Sequence, residues 1–135
     1  MVNEKKITSS SILLIILWLV AIHSFLIGIS LMITPSNVFE YLGYNLCTER
    51  FFPTQGGVFH IVMAIGYAMG AIRVTNSSDL VIFSIIVKLC ATLFLIIYFI
   101  FIKQTWVILF SGIADCIIGI TIWWAYSNYI NRVNR

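Results

Sequence analysis

The sequence predicts an all-α protein, a four-helix up-and-down transmembrane bundle with a short amphipathic helix in its first outer loop. Composition is the first observation: the 135 residues are 61% hydrophobic and 10% charged, with a mean hydropathy of +1.03. Soluble domains carry about 25% charged residues, so water is not this chain's main solvent. The second is length. Four apolar stretches, at roughly 12–33, 56–74, 80–102 and 105–126, can each cross a ~30 Å hydrocarbon layer at about 1.5 Å rise per residue. They leave short tails, two tight connections and one longer loop, so residues 1–135 read as a single integral membrane domain.

The first stretch follows Lys5 and Lys6, as the apolar core of a signal peptide would. It outruns a signal peptide's ~7–15 apolar residues and lacks an Ala-x-Ala cleavage site, which makes it a retained span. In the loop from Thr34 to Gln55, Asn37 and Glu40 fit the polar-x-x-Glu capping pattern. Val38, Phe39, Tyr41 and Leu42 give that short helix an apolar side, and Gly43 stops it. Such a helix anchors in the membrane interface, with a lid over the bundle's outer mouth as the alternative. Arg50, Phe51, Phe52 and Pro53 mark the chain's return to the bilayer.

The second span opens with Gly56, Gly57 and His60. Gly66 and Gly70 form GxxxG, which lets helix backbones approach closely; a homodimer face is the other reading of that motif. His60, Ala64, Tyr67 and Ala71 lie on one helical stripe, so His60 and Tyr67 can line a pocket near the outer surface. Hydrogen-bonded packing is the commoner role for a lone histidine there.

The third span carries Lys88 beside Ser84, Ala91 and Thr92. In the fourth, Gly112 and Gly119 flank Asp115 at i−3 and i+4, thinning the helix so that a partner can come close. Rise arithmetic puts His23 roughly 16 Å, Lys88 roughly 12 Å and Asp115 roughly 15 Å from a span boundary, all near the midplane. Helices three and four are neighbours in an up-and-down bundle, and four can touch one. A Lys88–Asp115 pair is expected, with His23 as third member of an intramembrane polar layer. That layer either specifies helix register or forms the floor of a ligand cavity.

Lys5, Lys6, Arg73, Arg132 and Arg135 fall on one side, against Arg50 and Lys103 on the other. The positive-inside rule therefore places both termini in the cytoplasm and the protein in the cytoplasmic (inner) membrane. Trp106 opens the fourth span, and Trp123, Trp124, Tyr126 and Tyr129 mark its other interface. The +3 formal charge lacks the contiguous basic face a nucleic acid needs, and attraction to anionic lipid explains it. Cys47, Cys90 and Cys116 form no CxxC spacing or evident pair.

His23 and His60 differ by roughly 8 Å in depth, which disfavours bis-histidine haem. No HxxxH or Cys/His cluster suggests a metal, and no Ser or Cys sits in a nucleophile elbow.

The order of elements resembles the DoxX-like group of small four-helix membrane proteins: a span ending in the loop that carries Thr34 and Pro35, then Gly56 and Gly57 opening the next. The resemblance implies a four-helix bundle. Some members are accessory subunits, and some are linked to quinone-coupled sulfur oxidation. It assigns no residue a role here.

The leading expectation is a non-catalytic accessory subunit or a binding module for a lipid, quinone or other hydrophobic molecule, with no cofactor required. The alternative is a quinone-linked redox component using His60, Lys88 and Asp115. A third is a proton-coupled carrier acting as a homo-oligomer.

Overall fold

A computed structural model describes residues 2–44, 49–74 and 78–133, with side chains from residue 10 onward. The helices are α1 (Val2–Ile33), α2 (Ser36–Tyr41), α3 (Phe51–Ile72), α4 (Ser78–Phe101) and α5 (Trp106–Val133), and no strand occurs among the described residues. The four long helices are long and apolar enough to cross a membrane. Lys5, Lys6, Cys47 and Arg135 lie outside the described side chains.

Lipid is the solvent these helices are built for. Ile15, Leu19, Leu26, Phe59, Ile65 and Phe94 all project outward. Only 33, 28, 28 and 22% of the apolar windows of α1, α3, α4 and α5 are buried. Water would drive such a surface to aggregate, whereas hydrocarbon solvates it.

α1 packs most closely on α3, and α4 on α5; α1 with α5 and α3 with α4 then close the ring. The diagonal pairs make no close backbone approach. Helix direction alternates, so α2 and the α4–α5 connection share one end of the bundle. The first turn of α1 and the last of α5 share the other, terminal, end.

Each inward face follows the helical period. On α1 it is Leu13, Leu17, Val20, Ala21, Ser24 and Gly28; on α4 it is Val81, Ser84, Ile85, Lys88 and Thr92. Their side chains join Tyr67, Ala71, Ile122 and Ala125 in the core.

Several boundaries differ from the sequence expectation. α3 begins at Phe51, ahead of Gly56. Pro53 falls in its first turn, where a missing N–H leaves no intrahelical bond unmade. α5 continues past Tyr126 to Val133 because Tyr129 is buried in the core and Ile130 packs against it. Tyr129 is thus a core residue and not part of an interfacial belt, while Trp123 and Trp124 are exposed. α2 begins at Ser36 after Pro35, which stands at the N-cap with φ −64° and no side-chain cap. Asn37 therefore lies inside the helix, and the Asn37–Glu40 capping arrangement does not form.

The end of α2 is strongly specified. Gly43 has φ +91°, its N–H bonds the Glu40 carbonyl at 2.9 Å, and the Tyr44 N–H bonds the Phe39 carbonyl at 3.0 Å. This is the Schellman arrangement, and the apolar contact that accompanies it is the edge-to-face pair of Phe39 and Tyr44, with ring centroids 6.2 Å apart. Thr105 Oγ1 donates to the Gly43 carbonyl at 3.3 Å, tying the turn to the α4–α5 connection.

Candidate functional site

The polar layer reduces to a pair. Lys88 Nζ donates to Asp115 Oδ1 at 2.5 Å across the α4–α5 interface, with the two side chains 4% and 14% exposed. Nζ also lies 5.7 Å from the centre of the Tyr67 ring, within range of a cation–π attraction. Gly119 makes room for this: a Cβ there would lie 3.3 Å from Lys88 Cβ. Gly112 plays the same part beside Leu95, at 3.3 Å. The remaining hydroxyls on this face of α4 turn back to their own helix, Ser84 to the Leu80 carbonyl and Thr92 to the Lys88 carbonyl. Among the described residues no buried polar side-chain atom lacks a partner.

His23 is not in the layer. Its side chain is exposed, and the neighbouring Ser24 is the residue that turns inward. Depth alone suggested His23; the missing quantity is azimuth. The inward stripe of α1 runs through 17, 20, 21, 24 and 28, and residue 23 falls off it.

Ser24, which the sequence reading passed over, holds His60. Its hydroxyl lies 3.0 Å from the His60 carbonyl, to which it donates, and 3.3 Å from His60 Nδ1. A hydroxyl has one proton. With that proton on the carbonyl, Nδ1–H donates to Oγ, which fixes the imidazole in the α1–α3 interface. Tyr67, 1% exposed, fills the core beneath Lys88. His60 and Tyr67 are not among the residues that line the two cavities described below.

The tight helix crossing also lies elsewhere than the motif suggests. A Cβ on Gly66 would meet Phe83 at 3.8 Å, and one on Gly70 would meet Leu80 Cβ at 3.5 Å, both ordinary contacts. A Cβ on Gly28 would lie 2.7 Å from the Gly57 carbonyl oxygen, and one on Gly57 would lie 2.6 Å from the Gly28 carbonyl oxygen. α1 and α3 therefore touch backbone to backbone at this pair. A spacing search within one helix misses it because its two members lie on different helices.

The larger cavity, about 350 Å³, opens at the α2 end. Leu31 of α1, Pro53 of α3 and Tyr98 of α4 contribute to its wall, so it sits over the bundle axis, and Phe39 of α2 flanks it. Arg50, Lys103, Tyr44 and Ser36 supply polar groups to the same lining. Arg50 is positioned by α1: Nη1 donates to the Thr34 carbonyl at 2.5 Å and Nη2 to the Met32 carbonyl at 2.8 Å. A cation there meets the unpaired carbonyls and the negative end of the helix dipole. A smaller cavity of about 190 Å³ lies at the terminal end beside Trp124, Asn128 and Arg132.

Among the described residues no three of His, Cys, Asp and Glu converge as a metal site would require. Cys90 is exposed and Cys116 partly buried, both as free thiols. Comparisons with protein-family models, curated proteins and solved structures find no match to the chain.

Proposed function

We propose that the protein is a non-catalytic membrane module that binds a lipid, quinone or similar amphiphile at the α2 end of its bundle, by itself or as an accessory subunit of a larger complex. The cavity there carries this reading. Its volume of about 350 Å³ lies at the lower end of the ~300–1,000 Å³ range of ligand sites, enough for a head group with its tail in the lipid. Its wall is mixed in the way such sites are: Leu31, Phe39 and Pro53 are apolar, with Arg50, Lys103 and Tyr44 converging among them. The positive-inside argument turns this end outward. An accessory role also agrees with the DoxX-like resemblance in the order of elements.

The midplane pair supports the same reading by being closed. Lys88 and Asp115 satisfy each other among packed helices, which suits a pair that fixes helix register.

The test is purification in mild detergent followed by mass spectrometry of the intact particle. One amphiphile held in stoichiometric amount, with or without partner subunits, is the expected result. Bulk lipid in random proportion, with none enriched, would contradict the reading.

A further inference from the structure

We infer that the outer face of α1 is a contact between two copies of this chain, centred on His23, so that the protein is a homodimer in the bilayer.

An exposed imidazole far from water is the first observation. The apolar span of α1 runs Ser10–Ile33, and His23 lies about 15 Å of helix rise before its end. The side chain is exposed, off the stripe that carries Ser24 and Gly28 to α3. The bundle's other histidine, His60, meets the Ser24 hydroxyl, whereas His23 looks out into hydrocarbon. A neutral imidazole has one N–H donor and one acceptor nitrogen, and hydrocarbon satisfies neither. Polar groups so placed are costly, and a hydrogen bond to a neighbouring helix relieves the cost.

Spacing is the second observation. Ile12, Leu19, Leu26 and Ile33 recur every seven residues and are 41, 60, 58 and 71% exposed. His23 and Ser30, both exposed, fall four residues after Leu19 and Leu26. Ile16 opens this alternate series and packs partly against the core. Lipid asks only that outward residues be apolar; it imposes no period and gives no place to His23 and Ser30. Alternating steps of three and four make the seam of a left-handed helix pair, in which one polar residue fixes register and the number of helices.

The chemistry of the seam selects a second copy as the occupant. Copies of one chain insert with the same topology, so a two-fold axis along the membrane normal sets each seam residue opposite its own counterpart at equal depth. Two neutral imidazoles are self-complementary, the N–H of one donating to the bare nitrogen of the other. Two Ser30 hydroxyls, seven residues on, pair by the same logic. Among the described helices α1 packs on α3 and α5 only, and neither covers this stripe. The GxxxG of α3 is used within the chain, since Gly66 and Gly70 face Phe83 and Leu80 of α4.

The full chain, labelled at its C-terminus, would be reconstituted in lipid vesicles at falling protein-to-lipid ratio and its oligomeric state read by single-molecule photobleaching. A dimer is expected. His23→Leu changes an exposed position and is expected to raise the dimer dissociation constant roughly tenfold, the size of one hydrogen bond between membrane helices. His23→Asn, which still donates and accepts, is expected to recover most of that loss. The face is located by oxidative crosslinking in a Cys47→Ala, Cys90→Ala, Cys116→Ala background: Ser30→Cys is expected to give disulfide-linked dimers, and Phe94→Cys, exposed on α4, is not. A monomer at every ratio, a dimer equally tight in His23→Leu, or crosslinking through Phe94→Cys in place of Ser30→Cys would each overturn the inference. A different membrane protein crosslinked to Ser30→Cys in native membranes, with no link between copies, would overturn the second copy as occupant.

Discussion

The midplane and the α2 end each place cations in poorly hydrated surroundings, and they resolve the problem differently. At the midplane Lys88 meets Asp115 at 2.5 Å, and the Tyr67 ring lies 5.7 Å from its Nζ. At the α2 end Arg50 is oriented by backbone carbonyls, and Lys103 joins it around about 350 Å³ of open space. A closed charge pair specifies which helices are neighbours; a half-apolar recess with polar groups in its wall leaves room for a head group. The most conspicuous ionisable residues of the sequence, Lys88 and Asp115, close on each other, and the site candidate lies beside the loop from Thr34 to Gln55.

The largest expected effect attacks the closed region. Lys88→Met or Asp115→Leu alone leaves a buried charge unpaired and is expected to cost about 3 kcal/mol or more. The double change should recover most of the loss, which thermal unfolding in detergent can measure as a double-mutant cycle; strictly additive losses would break the pair.

The α1–α3 crossing comes next. Gly57→Ala would drive a methyl to 2.6 Å from the Gly28 carbonyl oxygen, and a backbone atom cannot give way as a side-chain end can. A loss of about 1–3 kcal/mol is expected by the same assay. Gly66→Ala, whose new methyl meets only Phe83 at 3.8 Å, should change stability by less than about 0.5 kcal/mol. If Gly66→Ala proved the more damaging of the two, GxxxG and not the Gly28–Gly57 crossing would be the structural contact.

A smaller effect probes the α2 end. Gly43→Ala must hold φ +91° with a side chain and brings its methyl to 3.0 Å from Thr105 Cγ2. A cost of about 1–2 kcal/mol is expected, together with weaker ligand binding as Tyr44 loses its placement. Unchanged binding would show that the Schellman turn does not position the site.

What the sequence made legible follows from which coordinate each signal carries. Span length and hydropathy give the number of membrane-crossing segments, and that number agrees with the four long apolar helices. Depth also puts Lys88 level with Asp115. Azimuth is a separate coordinate, carried by the period of small and apolar residues, and it turns Ser24 inward and His23 outward. The Gly28–Gly57 crossing, the α1 cap by Arg50 and the cavity lining all join residues far apart in sequence. No local spacing encodes them, and they became visible only with the helices placed.

The most direct test compares bound amphiphile in the Lys88→Met/Asp115→Leu double variant with that in Leu31→Trp, which fills the α2-end cavity, by native mass spectrometry after purification in mild detergent. The account predicts that the double variant folds and keeps its ligand while Leu31→Trp folds and loses it. A double variant that folds yet loses the ligand, beside a Leu31→Trp variant that keeps it, would contradict the account and move the functional site to the midplane.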